Sequence, residues 1–515
     1  MLCSPMDRRR FLVSSAAAVS TASARRIAFA AAPTSAMLIV APEKVGPMVP
    51  ADFLGLSYEK MQLADPAFFS ANNKKLVGLF KTLAPASLRL GGRTSEFSWW
   101  RATAETAQPE RQITSRSAAS EPVPELRYAV TPQAIQSLAG FLDATRWSCI
   151  YGLNLGTGTV DENVAEAEYV ASKLGKHLDF FQLGNEVDLY GRHLRDADAW
   201  TVDAFVEEWI QQARAIHRRV PGVRFGLPDI AWNPEWFHRI AELLAAEKDL
   251  PQIAALTHHY YFVGAPSNPN ATIPQLFGPD QRIVTTAEAV HDAAMSLKTR
   301  YRMTEGNSCY DGGKPGLSDT FASALWVADY LLKLALLGYS GANIHGGSSA
   351  AIAAALGGEL PGEELVSESE SHPRPFYAPI AENNGTYAAQ PIFDGMLLAA
   401  TLTNCTLCEC HFDIDLPECS AYAAFGSWNS VRVVLINKSD RDLSLRIKGC
   451  SGVYVFRLAG ASLSATATQR KKPWEPGLAE HHTTSNGIPP TFLLPRYSAA
   501  FVNTNLVGPF KATAG

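Results

Sequence analysis

Two carboxylates stand out by their settings: Glu186, closing Gln182-Leu183-Gly184-Asn185-Glu186, and Glu305, inside Met303-Thr304-Glu305-Gly306-Asn307. Each ends a short apolar run, where an ionisable group is costly unless it is used. Two carboxyl groups astride one bond are what cleavage of a glycosidic link requires. At about 5–5.5 Å apart, one attacks the anomeric carbon while the other protonates the leaving oxygen. Asn185 would offer its amide to the sugar 2-hydroxyl, a contact that strengthens as the oxocarbenium-like state develops. Other polar residues close comparable runs: Tyr58, Glu59, Arg89, Arg93, Asn154, Asp229, His258, His259, Tyr260, Asn307 and His345.

The runs themselves imply the scaffold. From Phe53 onward, short β-rich stretches alternate with helical patterns. The stretches are Phe53–Glu59, Ser87–Gly92, Ser148–Gly156, Asp179–Glu186, Val223–Asp229, Ala255–Tyr261, Tyr301–Asn307 and Gly341–Gly347. Helical periodicity fills the gaps at Ala165–Lys176, Thr201–Arg219, Glu235–Glu247, Thr285–Thr299 and Asp319–Leu337. Alternating strands and helices give parallel strands joined by crossovers, and eight such units predict an α/β fold of the (β/α)8 TIM-barrel type. In that fold residues at the C-terminal strand ends face one mouth, and strands four and seven lie across it. A doubly wound sheet is the rival, but its Gly-rich phosphate loop is missing, and no P-loop or G-x-S-x-G elbow occurs. No cofactor is implied. No metal is implied either, since a strand sends adjacent His258 and His259 to opposite faces.

Beyond about residue 395 the pattern changes to short Val-, Ile-, Phe- and Tyr-rich runs between turn residues, which predicts an antiparallel β-sandwich. Residues 31–51 would lend it an N-terminal strand, leaving 52–395 to the barrel and 396–515 to the sandwich. Two long polar segments, Ala102–Thr131 and Gly357–Gln390, interrupt the barrel. The second follows strand eight and should overhang the mouth. Cys405, Cys408, Cys410 and Cys419 lack the paired spacing of a zinc site and read as buried free thiols or one disulfide.

Composition bounds the partners. The chain has 515 residues, 47% of them apolar and 18% charged, with 45 Lys+Arg against 50 Asp+Glu. A formal net charge of −5 argues against nucleic acid as the main partner. No apolar run reaches the ~18 residues of a membrane span, so no stable membrane anchor is expected. Arg8-Arg9-Arg10-Phe11-Leu12 has the R-R-x-F-L form of a twin-arginine signal, and Ala28-Phe29-Ala30 the form of a cleavage site. Residues 1–30 therefore read as an export signal to the periplasm or the exterior.

Asn185-Glu186 at strand four with Glu305 at strand seven resembles glycoside hydrolase clan A. The phrases Ser87-Leu-Arg-Leu-Gly-Gly-Arg93, Phe181-Gln-Leu-Gly-Asn-Glu-Val-Asp188, His258-His-Tyr-Tyr261 and Thr304-Glu-Gly-Asn-Ser308 are similar to glycoside hydrolase family 79, which holds β-glucuronidases and heparanases. The resemblance spans residues 36–515. It implies retaining chemistry, with Glu186 as acid/base and Glu305 as nucleophile. Burial and the Glu305 charge should raise the pKa of Glu186, while His and Arg neighbours keep Glu305 ionised. It further implies that Tyr260 or Tyr261, with Tyr260 preferred, hydrogen-bonds Glu305, and that His345 sits in the sugar pocket. Tyr310 and the backbone N–H groups of Ser308 and Cys309 would receive a uronate carboxylate, with Tyr377 as a further candidate. Arg93 completes the substrate-binding set.

The expected partner is thus a glucuronic-acid-containing carbohydrate. Acidity favours release of terminal glucuronate over endo cleavage of a sulfated polyanion, because Glu359, Glu363, Glu364, Glu368 and Glu370 crowd the segment after strand eight. A heparanase-like endo enzyme and a secreted, non-catalytic carbohydrate-binding protein are the alternatives.

Overall fold

The computed structural model describes residues 32–109, 128–356, 375–383, 385–425, 430–466, 480–484 and 488–506. Residues 1–30, read above as an export signal, and the acidic stretch Glu359–Glu370 lie outside these residues. Eight parallel strands close a barrel: Leu54–Glu59, Ser87–Gly91, Ser148–Leu153, Leu178–Leu183, Arg224–Ile230, Gln252–Tyr261, Arg300–Asn307 and Ala342–His345. They follow one another around it in chain order, and the eighth pairs with the first through Ile344 and Leu56. These are the eight expected runs, with ends shifted by at most a few residues. Strands buried on both faces read as nearly continuous apolar sequence, which is why their positions were legible.

The crossover helices are amphipathic and capped. Thr201 accepts from the Ala204 N–H ahead of Val202–Arg219, whose buried side includes Phe205, Trp209, Ile210, Ala213 and Ile216. Thr159 and Glu162 form a reciprocal capping box at Val160–Leu174. Helix Phe321–Leu336 is apolar nearly all round because it lies between the barrel and the second sheet. The Phe321 and Ala322 N–H groups donate to the Ala465 and Leu463 carbonyls, and Asp329 accepts from Tyr422 and Lys438 of the sheet.

That sheet has nine strands. The expected N-terminal strand, Thr34–Val49, joins it, antiparallel to Cys405–Phe412 and parallel to Leu443–Ile447. The sheet curls over itself as a sandwich: Leu443, Leu445 and Ile447 near one end share a core with Val453 and Val455 near the other. Helix Pro391–Ala400 runs across residue 395, and the sheet resumes at Cys405. Cys405, Cys408, Cys410 and Cys419 are free thiols, the first two buried as expected and Cys410 and Cys419 only partly so. Among the described residues no helix is long and apolar enough to cross a membrane.

Candidate active site

Arg89 organises the mouth of the barrel. Strand alternation puts Leu88 and Leu90 in the apolar core and turns Arg89 inward. Its side chain is 1% exposed and fully engaged. Nη1 donates to Glu305 Oε2 at 2.5 Å, and Nη2 to Asp229 Oδ2 at 2.5 Å and Asn185 Oδ1 at 2.8 Å. Nε reaches Gln182 Oε1 at 3.1 Å. The space around this cluster depends on Gly91 and Gly92. A Cβ at Gly91 would fall 2.5 Å from Arg89 Cζ, and one at Gly92, whose φ is +71°, 2.3 Å from the Glu59 carboxyl.

Glu305 is buried and held on both oxygens. Besides Arg89, the Tyr261 hydroxyl donates to Oε1 at 2.7 Å, and His345 Nδ1 and His259 Nδ1 lie 3.4 and 3.8 Å from that oxygen. Burial alone would raise its pKa. In the acid range where Glu305 titrates, the charges of His345, His259 and Arg89 and the Tyr261 bond overcome burial and bring its pKa down to about 2. The expectation that His and Arg neighbours keep Glu305 ionised agrees with this geometry.

Glu186 has a different setting. Its backbone is left-handed (φ +51°), as is that of Asp229 (φ +60°), and its N–H donates to the Asp229 carbonyl at 2.8 Å. A left-handed non-glycine residue at a strand end is an uncommon conformation that recurs at functional sites. The carboxyl contacts His259 Nδ1 at 3.1 Å and is 28% exposed toward the cavity, so it is less enclosed than expected. One oxygen each of Glu186 and Glu305 and a ring nitrogen of His259 lie within 4.8 Å of one another. His259 Nε2 sits 3.0 Å from Asp229 Oδ2 without hydrogen-bond alignment. Burial would lower the His259 pKa, but the Asp229 and Glu305 charges push it up to about 10.

Two further groups face Glu305. Glu59, which the sequence reading set no role for, accepts from the Thr94 N–H at 2.9 Å and from its hydroxyl at 2.6 Å. Burial, then the Glu305 charge, raise its pKa to about 7. His345 does sit in the pocket, with Nδ1 at 2.8 and 3.0 Å from the Tyr261 and Tyr377 hydroxyls and Nε2 at 3.6 Å from Glu59. Burial lowers its pKa to about 4, leaving it neutral at neutral pH.

Some expectations need correction. Tyr260 is not the partner of Glu305. It points away, donates to Asp280 and stacks on Tyr330. Tyr261, one residue on, shares the inward face with His259. The Ser308 N–H is not available to a carboxylate, because it donates to its neighbour Asn307 Oδ1 at 2.7 Å. Cys309 is fully buried, and neither residue lines the cavity. Tyr310 does line it, as do Arg93, Asn185, Tyr260, His345 and Tyr377, around a space of about 500 Å³. His258 turns outward, bonded to Tyr339 at 2.8 Å.

No family model matches the chain. It is 27% identical over 282 residues to a β-glucuronidase of Aspergillus niger, a match covering 51% of each protein. The chain thus spans about half the length of that relative. A β-glucuronidase of Neurospora crassa is 26% identical over 423 residues, 72% of this chain and 68% of the other. Among solved structures, a 4-O-α-L-rhamnosyl-β-D-glucuronidase from Fusarium oxysporum superposes with a TM-score of 0.66 at 18% identity, covering 90% of this chain and 99% of that one.

Proposed function

We propose that this chain is a glycoside hydrolase, and specifically a retaining exo-β-glucuronidase that removes terminal β-D-glucuronic acid by double displacement. The observation that carries the reading is the unequal pair at the mouth. Glu305 is anionic and clamped by Arg89 and Tyr261, and an oxygen of Glu186 lies within 4.8 Å of it on the open side. That proximity favours direct attack over a water held between two distant carboxyls. In the first step Glu305 bonds to the anomeric carbon, and the glycosidic bond breaks as Glu186 passes its proton to the leaving oxygen. In the second, Glu186 takes a proton from water, whose oxygen displaces Glu305 and restores both carboxyls. His259, charged and bonded to Glu186, is placed to follow that change of charge. Arg89 fixes the Asn185 oxygen, which leaves the amide N–H group for the 2-hydroxyl.

The names of the two fungal relatives support glucuronate as the sugar. Tyr310, Tyr377 and Arg93 are the groups on this cavity that suit its carboxylate. Exo action is favoured because buried Glu59, His345 and Tyr377 wall the cavity on the side of strands eight and one. We read residues 1–30 as a twin-arginine signal, so the enzyme would work outside the cytoplasm. The test is release of nitrophenol from the β-D-glucuronide beside the matching β-D-glucoside and β-D-xyloside, with the first-formed anomer followed by NMR. Glucuronide-selective turnover giving the β-anomer first is expected. Turnover of the neutral sugars would overturn the uronate site, and the α-anomer would overturn retention. Internal cuts in a long glucuronan with no terminal release would favour the endo reading.

A further inference from the structure

Trp232 is the only exposed tryptophan among the described residues, 51% accessible, yet it lines the catalytic cavity. An indole left in water at the rim of a site calls for an occupant. Its loop is not loose. The Asp188 carboxylate accepts from the N–H groups of Ala231 at 2.8 Å, Trp232 at 3.0 Å and Asn233 at 3.3 Å, and from the Asn233 amide at 3.1 Å. Asp188 stands two residues beyond Glu186 in the same short 3-10 turn, Val187–Arg192. One turn therefore positions both the carboxyl that faces the leaving oxygen and the indole beside it. The ring also meets Tyr310 nearly at right angles, with centroids 6.0 Å apart, which fixes its orientation.

The position assigns the occupant. The wall toward strands eight and one consists of Glu59, His345 and Tyr377 and, on the glucuronidase reading, would enclose the sugar being removed. Trp232 follows strand five, next to the Glu186 strand, on the side where the leaving group must emerge. Gln281, Arg282 and Thr285, from the first turns of helix Gln281–Leu297, line the same cavity and provide polar groups for the edges of a ring. We propose that Trp232 is the platform of an aglycone subsite, on which a leaving group with an apolar ring face, aromatic or pyranose, stacks while Glu186 protonates the bond. This inference rests on the glucuronidase reading above.

The test compares kcat/KM for nitrophenyl β-D-glucuronide and for a glucuronyl-β-galactose disaccharide with that for β-D-glucuronyl fluoride, whose leaving group has no ring. In Trp232→Ala the ratio of a ring-bearing substrate to the fluoride should fall roughly three- to tenfold, the scale of one aromatic stacking contact. Trp232→Phe should recover most of it. A fall confined to the aryl substrate identifies an aromatic aglycone, and one confined to the disaccharide a glycan. A ratio unmoved for both substrates, or Phe no better than Ala, overturns the platform while leaving the glucuronidase reading intact. A wild type inert toward all three substrates removes both.

Discussion

Two arginines are buried inside the same barrel, each 1% exposed, and they are used in opposite ways. Arg89, on strand two, faces the mouth and binds two carboxylates, those of Glu305 and Asp229. Arg302, on strand seven and three residues before Glu305, faces the other end. It donates to Asn343 Oδ1 at 2.7 Å and to the carbonyls of Asp52, Phe53 and Ser340, closing the seam where strands seven, eight and one meet. Burial lowers the Arg302 pKa to about 10, whereas the carboxylates around Arg89 overcome the same burial and raise it. The cation at the bottom is held by neutral dipoles and ties backbone together. The cation at the mouth is held by charges, one of them the carboxylate proposed as nucleophile. In this fold stability and chemistry occupy opposite strand ends.

The sharpest test of that division is Glu305→Ala. Removing the proposed nucleophile should cost on the order of 10⁴-fold or more in kcat. The barrel should stay folded, since Arg89 keeps Asp229 as a partner. Steady-state turnover and circular dichroism on the same preparation check both halves. Residual activity within tenfold of wild type would move the nucleophile elsewhere.

The arginines themselves come next. Arg89→Met should lower kcat by about 10²–10³-fold, the usual cost of removing one preorganised electrostatic contact. It should also destabilise, because two buried carboxylates lose their counter-ion. Arg302→Met should lose a few kcal/mol, having orphaned several buried carbonyls, yet keep its kcat per folded molecule. Denaturant midpoints and active-site-normalised rates separate the two. If both variants lose activity in proportion to stability, the contrast between the two ends fails.

Adjacent tyrosines give a smaller contrast. Tyr261→Phe removes a bond to an anionic carboxylate and should cost roughly 10- to 100-fold in kcat/KM. Tyr260→Phe changes only the contact with Asp280 and should leave the rate near wild type. Equal effects would mean that Glu305 does not depend on the Tyr261 hydroxyl.

The same tyrosines mark where legibility in sequence stops. The eight strands and their polar ends could be read because a buried parallel strand announces itself by a local run. The N-terminal strand of the sandwich was legible for the same reason in Ala36-Met-Leu-Ile-Val-Ala41. Which of two neighbours faces inward depends on register, and strands six and seven carry a register shift between Met303 and Glu305 that no local pattern reports. Parity with His259 would have chosen Tyr261, had His259 been known to face inward. Arg89 could be seen as an oddity between Leu88 and Leu90, but its partners come from strands one, four, five and seven. Contacts so distant along the chain leave no spacing to read. The Ser308 N–H was missed for another reason: its capture by the adjacent Asn307 is a matter of local backbone conformation.

The last contrast is read in stability rather than turnover: Glu59 tests how the mouth tolerates negative charge. Burial and the charge of Glu305 raise its pKa to about 7, so the folded protein retains a proton there that the unfolded chain, with an ordinary carboxyl, gives up near 4.5. A raised carboxyl favours folding fully below the unfolded value, and that contribution drains away as pH rises toward the folded value. Wild-type stability should therefore decline between about pH 4.5 and 7 from this group, by up to about 3 kcal/mol at ~1.4 kcal/mol per pKa unit. Glu59→Gln keeps the shape and an oxygen for Thr94 but cannot ionise, so its denaturant midpoint should be flatter across that window and exceed wild type at pH 8. Arg302→Met, at the far end of the barrel, should leave the slope unchanged. A Glu59→Gln profile parallel to wild type would mean that Arg89 and Thr94 already carry the ionised form without penalty. The mouth would then hold three anions, Glu59, Asp229 and Glu305, around Arg89 at no cost.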